Sequence, residues 1–147
     1  MNSNYTIEEI WTEVKEPKAA YVGSDLLNQL THHIIGACFD VHNELGKGFL
    51  EIVYKDAFEY ELKERDIYFE REKKYEIKYK EIILPHYYYA DFVIENKVIV
   101  EIKAQEGAIE ENIKQVINYL AASNCQVGLL INFAEKSLKY KRIILTK

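Results

Sequence analysis

A chain of 147 residues suits one domain, and 48% hydrophobic against 29% charged residues excludes a disordered or fibrous protein. The formal net charge of -5 weighs against a broad basic surface for nucleic acid, yet leaves room for carboxylates that a cation would neutralise. Cys38 and Cys125 lack CxxC or Cys/His zinc spacing and read as reduced, buried thiols. With no apolar leader and no run long enough to span a bilayer, the sequence points to a cytoplasmic protein with no membrane partner.

Residues 1–23 read as an N-terminal appendage and residues 24–147 as the domain proper. In the appendage, Thr6 is placed to cap a short helix through Glu8, Glu9 and Trp11, which Pro17 would end. Ile7, Ile10, Trp11 and Val14 would share its apolar face. Ser24 or Asp25 would cap a second helix reaching about Leu45, where Gly46-Lys47-Gly48 breaks it. A third helix is expected from about Phe49 to Arg65, with Leu50, Val53, Tyr54, Ala57, Phe58 and Leu62 inward.

Beyond Tyr68 the hydrophobic period changes to two. Tyr75, Ile77 and Tyr79 alternate with Glu76, Lys78 and Lys80, as in a half-exposed strand. Pairing would continue over Ile82–Leu84 and stop at Pro85. Tyr87–Ile94 and Val98–Ala104 then form two strands about Glu95-Asn96-Lys97. A helix is expected over Ala108–Ala122, followed by a doubly buried strand at Val127–Ile131 and an edge strand at Tyr140–Leu145. The fold class is α/β: a mixed β-sheet core flanked by helices.

The chemistry gathers on the hairpin. A three-residue turn sets Asp91 across from Glu101, and Glu101 and Lys103, two apart, share a face. Phe92, Ile94, Val98, Val100 and Ile102 fall on the other face and would pack on the core. Two carboxylates about 4 Å apart repel by roughly 4 kcal/mol at an effective dielectric near 20. Lys103 offsets one charge. A hard divalent ion, Mg²⁺ or Mn²⁺, would balance the rest, with the Ile102 carbonyl as a further ligand. An ordinary cross-strand ion pair on a solvated sheet would show the same spacing. The apolar flank Val98–Val100 argues for a covered strand instead.

These residues fall into an ordered set that resembles the GxxExxY family of the PD-(D/E)xK nuclease-like superfamily. The set comprises Gly48-Phe49-Leu50-Glu51-Ile52-Val53-Tyr54, Ala90-Asp91-Phe92-Val93, Val98–Lys103 and Gln115–Leu120. The resemblance covers about Leu26–Leu145 and implies a restriction-endonuclease-like fold with a mixed four-stranded core sheet. It implies Asp91 and Glu101 as metal ligands, Lys103 as the charge-stabilising group, Glu51 as a helix-borne acid able to assist the metal, and Gln115 as an auxiliary catalytic residue. His42, Lys47 and Tyr54 are the candidates for substrate contact, with a hydrogen-bonded structural role the stronger reading of His42. Lys47, Lys55, Lys73, Lys74, Lys78, Lys80, Lys114 and Lys141 are basic residues available to hold a nucleic-acid backbone. The chain departs from the family pattern at Lys47, Tyr89 and Asn112, which removes basic and imidazole groups but no metal ligand.

The function expected from this set is metal-dependent hydrolysis of a phosphodiester in nucleic acid, with DNA the expected partner. The alternative is a catalytically silent nuclease fold acting as a nucleic-acid- or protein-binding module. It would work as a subunit or homo-oligomer, with Trp11 and Tyr87-Tyr88-Tyr89 at an interface.

Overall fold

The computed structural model describes residues 5–14, 26–106 and 110–145. Its elements run β1 (Tyr5–Val14), α1 (Leu26–Leu45), α2 (Glu51–Glu64), β2 (Phe69–Tyr79), β3 (Ile82–Ile94), β4 (Val98–Lys103), α3 (Glu110–Ala122), β5 (Val127–Asn132) and β6 (Leu138–Leu145). The strands form one six-stranded sheet in the order β1-β6-β5-β4-β3-β2. Among the described strands, only β4 and β5 pair in parallel; every other neighbour is antiparallel. The parallel pair needs a crossover, and α3 supplies it.

Helices cover both faces, which explains why β4 and β5 are apolar without alternation: nearly every residue of VIVEIK and VGLLIN is buried. On one face, Ile34, Cys38 and Val41 of α1 and Tyr54, Phe58 and Leu62 of α2 pack on Phe92, Val100, Ile102 and Leu129. On the other, Ile113, Val116 and Leu120 of α3 pack on Val93, Ile99, Leu130 and Ile143. Each fully buried aliphatic side chain contributes about 1.5–3 kcal/mol. The helix α3 comes close to the sheet at Gly128, where an added Cβ would lie 2.4 Å from Val116 Cγ1. Cys38 and Cys125 are buried thiols outside any disulfide, as expected. Among the described residues, no helix is long and apolar enough to cross a membrane.

Two turns aim the elements that flank Asp91 and Glu101. Gly46 takes φ +67° and its N–H closes on His42 O at 2.7 Å, ending α1 as a glycine cap. Glu95 and Asn96 both have positive φ, and Lys97 N–H bonds Ile94 O at 2.9 Å. That tight turn fixes the pairs Ile94↔Val98, Val93↔Ile99 and Phe92↔Val100.

Several expectations are corrected. Residues 5–14 form β1, not a helix, and pair with β6 from Tyr5↔Leu145 to Val14↔Leu138. The segment is rich in β-branched residues, and its apolar spacing suits either structure; the open edge of β6 decides it. For the same reason β6 is not an edge strand, since it lies between β1 and β5. Pairing also does not stop at Pro85. The strand β3 runs through it because the register shifts between Glu76↔Tyr87 and Lys78↔Ile83, leaving Pro85 in a bulge where no N–H is required. The helix α2 begins at Glu51 rather than Phe49, which leaves Leu50 before the helix and 75% exposed rather than inward, and β4 ends at Lys103. The expected caps Ser24 and Asp25, the expected stop at Pro17 and the start of α3 at Ala108 lie outside the described residues. The mixed sheet flanked by helices is as expected, and it carries six strands among the described residues.

Candidate active site

The site forms where β3 and β4 part. Their ladder ends at Phe92↔Val100, so the next two positions in register are Asp91 and Glu101. Backbone groups freed there still need partners. The side chains provide them: Asp91 N–H donates to Glu101 Oε1 at 2.8 Å, and Ile102 N–H donates to Asp91 Oδ2 at 2.9 Å. Each carboxylate is thus held by a backbone amide beside the other, and both residues are buried, Asp91 at 6% and Glu101 at 2% exposure. The expected juxtaposition is present, with this reciprocal lock in place of further ladder pairing.

Crowding two acids in a dry place has an electrostatic consequence. Burial raises the Glu101 carboxyl well above its ordinary range, and the nearby Asp91 charge pushes it further up. Lys103 opposes this only in part. Tyr119 of α3, 2% exposed, feels the same cluster: burial, then Glu101 and Asp91, hold its phenol protonated far above the usual range.

The first turn of α2 supplies Glu51. Its Oε1 lies 3.8 Å from Lys103 Nζ and its Oε2 lies 3.2 Å from Lys55 Nζ. Glu51, Asp91, Glu101 and Lys103 therefore come together as the residue pattern anticipates. Gln115 lies half-buried on α3, one turn before Tyr119, and its side chain makes no hydrogen bond to the carboxylates among the described residues.

Two further residues sit at the site, one of them expected only as a basic group for a nucleic-acid backbone. Lys55 places its ammonium 2.9 Å from Asp91 Oδ1. Burial alone would lower its pKa, but Asp91 and Glu51 outweigh that and raise it. The sequence offers Lys55 as one of several basic residues and, by its i,i+4 spacing, as a surface partner of Glu51, and neither reveals the pairing with Asp91. Glu72 of β2 lies between the pairs Arg71↔Phe92 and Lys73↔Ala90, and so faces Asp91 in the register. It takes φ +53°, uncommon for a non-glycine residue, and reaches Lys55 Nζ at 3.9 Å.

The three candidates for substrate contact sit differently. Tyr54 is fully buried; its hydroxyl donates to Gly46 O at 2.6 Å and accepts from Phe49 N–H at 3.3 Å. Its ring stacks on Phe133 at 4.6 Å. It therefore fixes the loop that leads into Glu51, and cannot touch a substrate without leaving the core. His42, 8% exposed, donates from Nε2 to Glu135 O at 2.8 Å, which leaves it a structural role. Lys47 is exposed on the Gly46–Gly48 turn.

The donors suit a hard divalent ion: two buried carboxylates, a third on α2 and the backbone carbonyl of Ile102. Among the described residues, no group of three or more His, Cys, Asp or Glu side chains is drawn together closely enough to hold one. One oxygen of Asp91 is engaged by Lys55 instead.

An α/β fold with a mixed sheet, an acid within one strand and an E-x-K pair on the next defines a restriction-endonuclease-like protein. The family model for the PD-(D/E)XK nuclease superfamily matches residues 28–143, and the chain belongs to that superfamily. No curated protein and no solved structure matches the chain.

Proposed function

We propose that this protein is a divalent-metal-dependent nuclease that hydrolyses a phosphodiester of DNA. The observation that carries the reading is the reciprocal lock of Asp91 and Glu101, two buried carboxylates whose mutual repulsion calls for a cation. Asp91, Glu101 and the Ile102 carbonyl would hold Mg²⁺ or Mn²⁺, with Glu51 assisting. Such an ion supplies charge neutralisation at the phosphate and a bound water of lowered pKa. Lys103, steered by Glu51 at 3.8 Å, presents its ammonium to charge developing on the phosphoryl oxygens. Gln115 acts as an auxiliary polar group from α3. Tyr54 holds the Gly46–Leu50 loop so that Glu51 meets both lysines. Lys47 on that exposed turn can meet a phosphate.

Finer assignments belong to the same reading. Gly48, Glu51 and Tyr54 favour the GxxExxY branch of the superfamily. The nuclease unit begins near residue 24, and the protein works in the cytoplasm, as a single chain or a homo-oligomer.

One observation favours the alternative of a silent nuclease fold that only binds. Lys55 already neutralises Asp91, as a permanent substitute for a metal would. Labelled oligonucleotides, single-stranded and duplex, DNA and RNA, incubated with Mg²⁺, Mn²⁺ or EDTA discriminate the two. The nuclease reading expects cleavage of DNA with metal, none with EDTA, and losses of at least a hundredfold in Asp91→Asn and Lys103→Met. Intact substrate in every case, with folded protein and measurable binding, would establish the binding module.

A further inference from the structure

The hairpin of β2 and β3 carries much of the exposed apolar surface of the described residues. Tyr79, Ile82, Tyr87 and Tyr89 are each about half exposed or more, at 57%, 58%, 49% and 51%. Over residues 73–89 the chain has four lysines against two glutamates, a local excess of positive charge in a protein of net charge -5. Exposed aromatics that alternate with lysines fit a polyanion with flat bases better than they fit an apolar partner.

The order of residues along β3 makes the surface specific. Tyr88 turns toward α3, where its ring meets Tyr119 at 5.8 Å. Strand alternation therefore puts Tyr87 and Tyr89 on the opposite face, the side on which α2 lies. The alternation breaks between Ala90, which packs on the α3 side, and Phe92, which packs on the α1 and α2 side; Asp91 lies at that break, where Lys55 of α2 contacts it. At about 3.3 Å per residue, Tyr87 lies roughly 13 Å from Asp91, with Tyr89 midway. Lys74, paired with Tyr89 in the register, sets its ammonium 3.8 Å from the centre of the Tyr87 ring, and Glu76 shares that ammonium at 3.8 Å.

We infer that the row Tyr87–Tyr89 is a stacking track for single-stranded nucleic acid, which it leads to the carboxylates at Asp91. Successive bases lie on the two phenol rings while Lys74 and Lys78 meet the phosphates. Duplex DNA, with its bases already stacked on each other, cannot use the track. The inference thus narrows the substrate of the nuclease proposed above to single-stranded stretches such as frayed ends or flaps, and it rests on that reading for its link to cleavage.

The test uses the full chain in EDTA, so that no strand is cut. Fluorescence anisotropy would follow a labelled thymidine oligonucleotide and a hairpin duplex of equal length. The variants are Tyr87→Ala/Tyr89→Ala and Tyr87→Trp/Tyr89→Trp, each checked for an unchanged melting temperature. Wild type is expected to prefer the single strand. The alanine pair should weaken that binding about tenfold or more, and the tryptophan pair should restore it. Equal affinity of the alanine pair and wild type, preference for duplex, or binding of neither would overturn the inference. So would a wild-type dimer that the alanine pair dissociates while oligonucleotide affinity stays unchanged, since the tyrosines would then serve a second copy. Cleavage with Mn²⁺ separates the two proposals. Metal-dependent cleavage with an unchanged KM in the alanine pair removes the track and keeps the nuclease. Stacking-dependent binding without any cleavage removes the nuclease and keeps the track.

Discussion

Lys55 Nζ lies 2.9 Å from Asp91 Oδ1, while both side chains are largely buried, at 12% and 8% exposure. The strand carboxylate of this nuclease fold is thus already paired with a cation carried by α2. Breaking a buried pair from one side leaves the other charge uncompensated, at a cost of roughly 3–5 kcal/mol. Lys55→Met should therefore lower the stability of the metal-free protein by about 3 kcal/mol in urea unfolding. The same change frees Asp91, so Mn²⁺ should bind the variant several-fold more tightly than wild type. Weaker binding in a folded Lys55→Met variant would show that Lys55 helps the metal rather than competing with it.

Glu101 gives a pH dependence whose sign is set by its environment. Burial first, then Asp91, hold its pKa above the ordinary 4.5; Lys103 pulls it down, and Tyr119 of α3 shares the field. The folded form keeps a proton that the unfolded chain releases. The stabilisation is complete below pH 4.5 and is lost as pH rises toward the folded value. Metal-free wild type should then lose stability above pH 4.5 relative to Glu101→Gln, in melting curves taken across pH in EDTA. Parallel curves would contradict the raised pKa.

Tyr54 is expected to act through position, not contact. Tyr54→Phe removes the bond to Gly46 O and leaves Phe49 N–H without its hydroxyl partner. Stability should fall by about 1–2 kcal/mol, and kcat should fall while KM holds. A rise in KM with unchanged kcat would place the hydroxyl on the substrate instead.

Gly128 tests the packing that sets α3 against the sheet. A methyl group there meets Val116 Cγ1 at 2.4 Å, so Gly128→Ala should destabilise the protein by roughly 1–3 kcal/mol. Gly128→Ala with Val116→Ala should recover part of the loss. No recovery in the double variant would mean that the strain lies elsewhere.

The hairpin chemistry was legible because it is local. A short turn and a period of two are enough to set Asp91 against Glu101 and to pair Glu101 with Lys103 on one face. Glu51 was legible only through the ordered motif, since one acid in a first helical turn ordinarily serves the helix dipole. Lys55 and Glu72 were not legible: their place depends on how α2 crosses the sheet and on one left-handed residue within a strand. The strand β1 was misread because Ile7, Ile10, Trp11 and Val14 suit a helix as well as a strand. What decides is a distant edge on β6, and the error in β1 carried over to β6 itself.

The most direct test of the central claim is calorimetric titration of Mn²⁺ into wild type and Glu101→Gln. A metal-dependent nuclease site predicts saturable binding in wild type that is lost in the variant. Absence of binding in a folded wild type, or equal binding in both proteins, would contradict a metal held by Asp91 and Glu101.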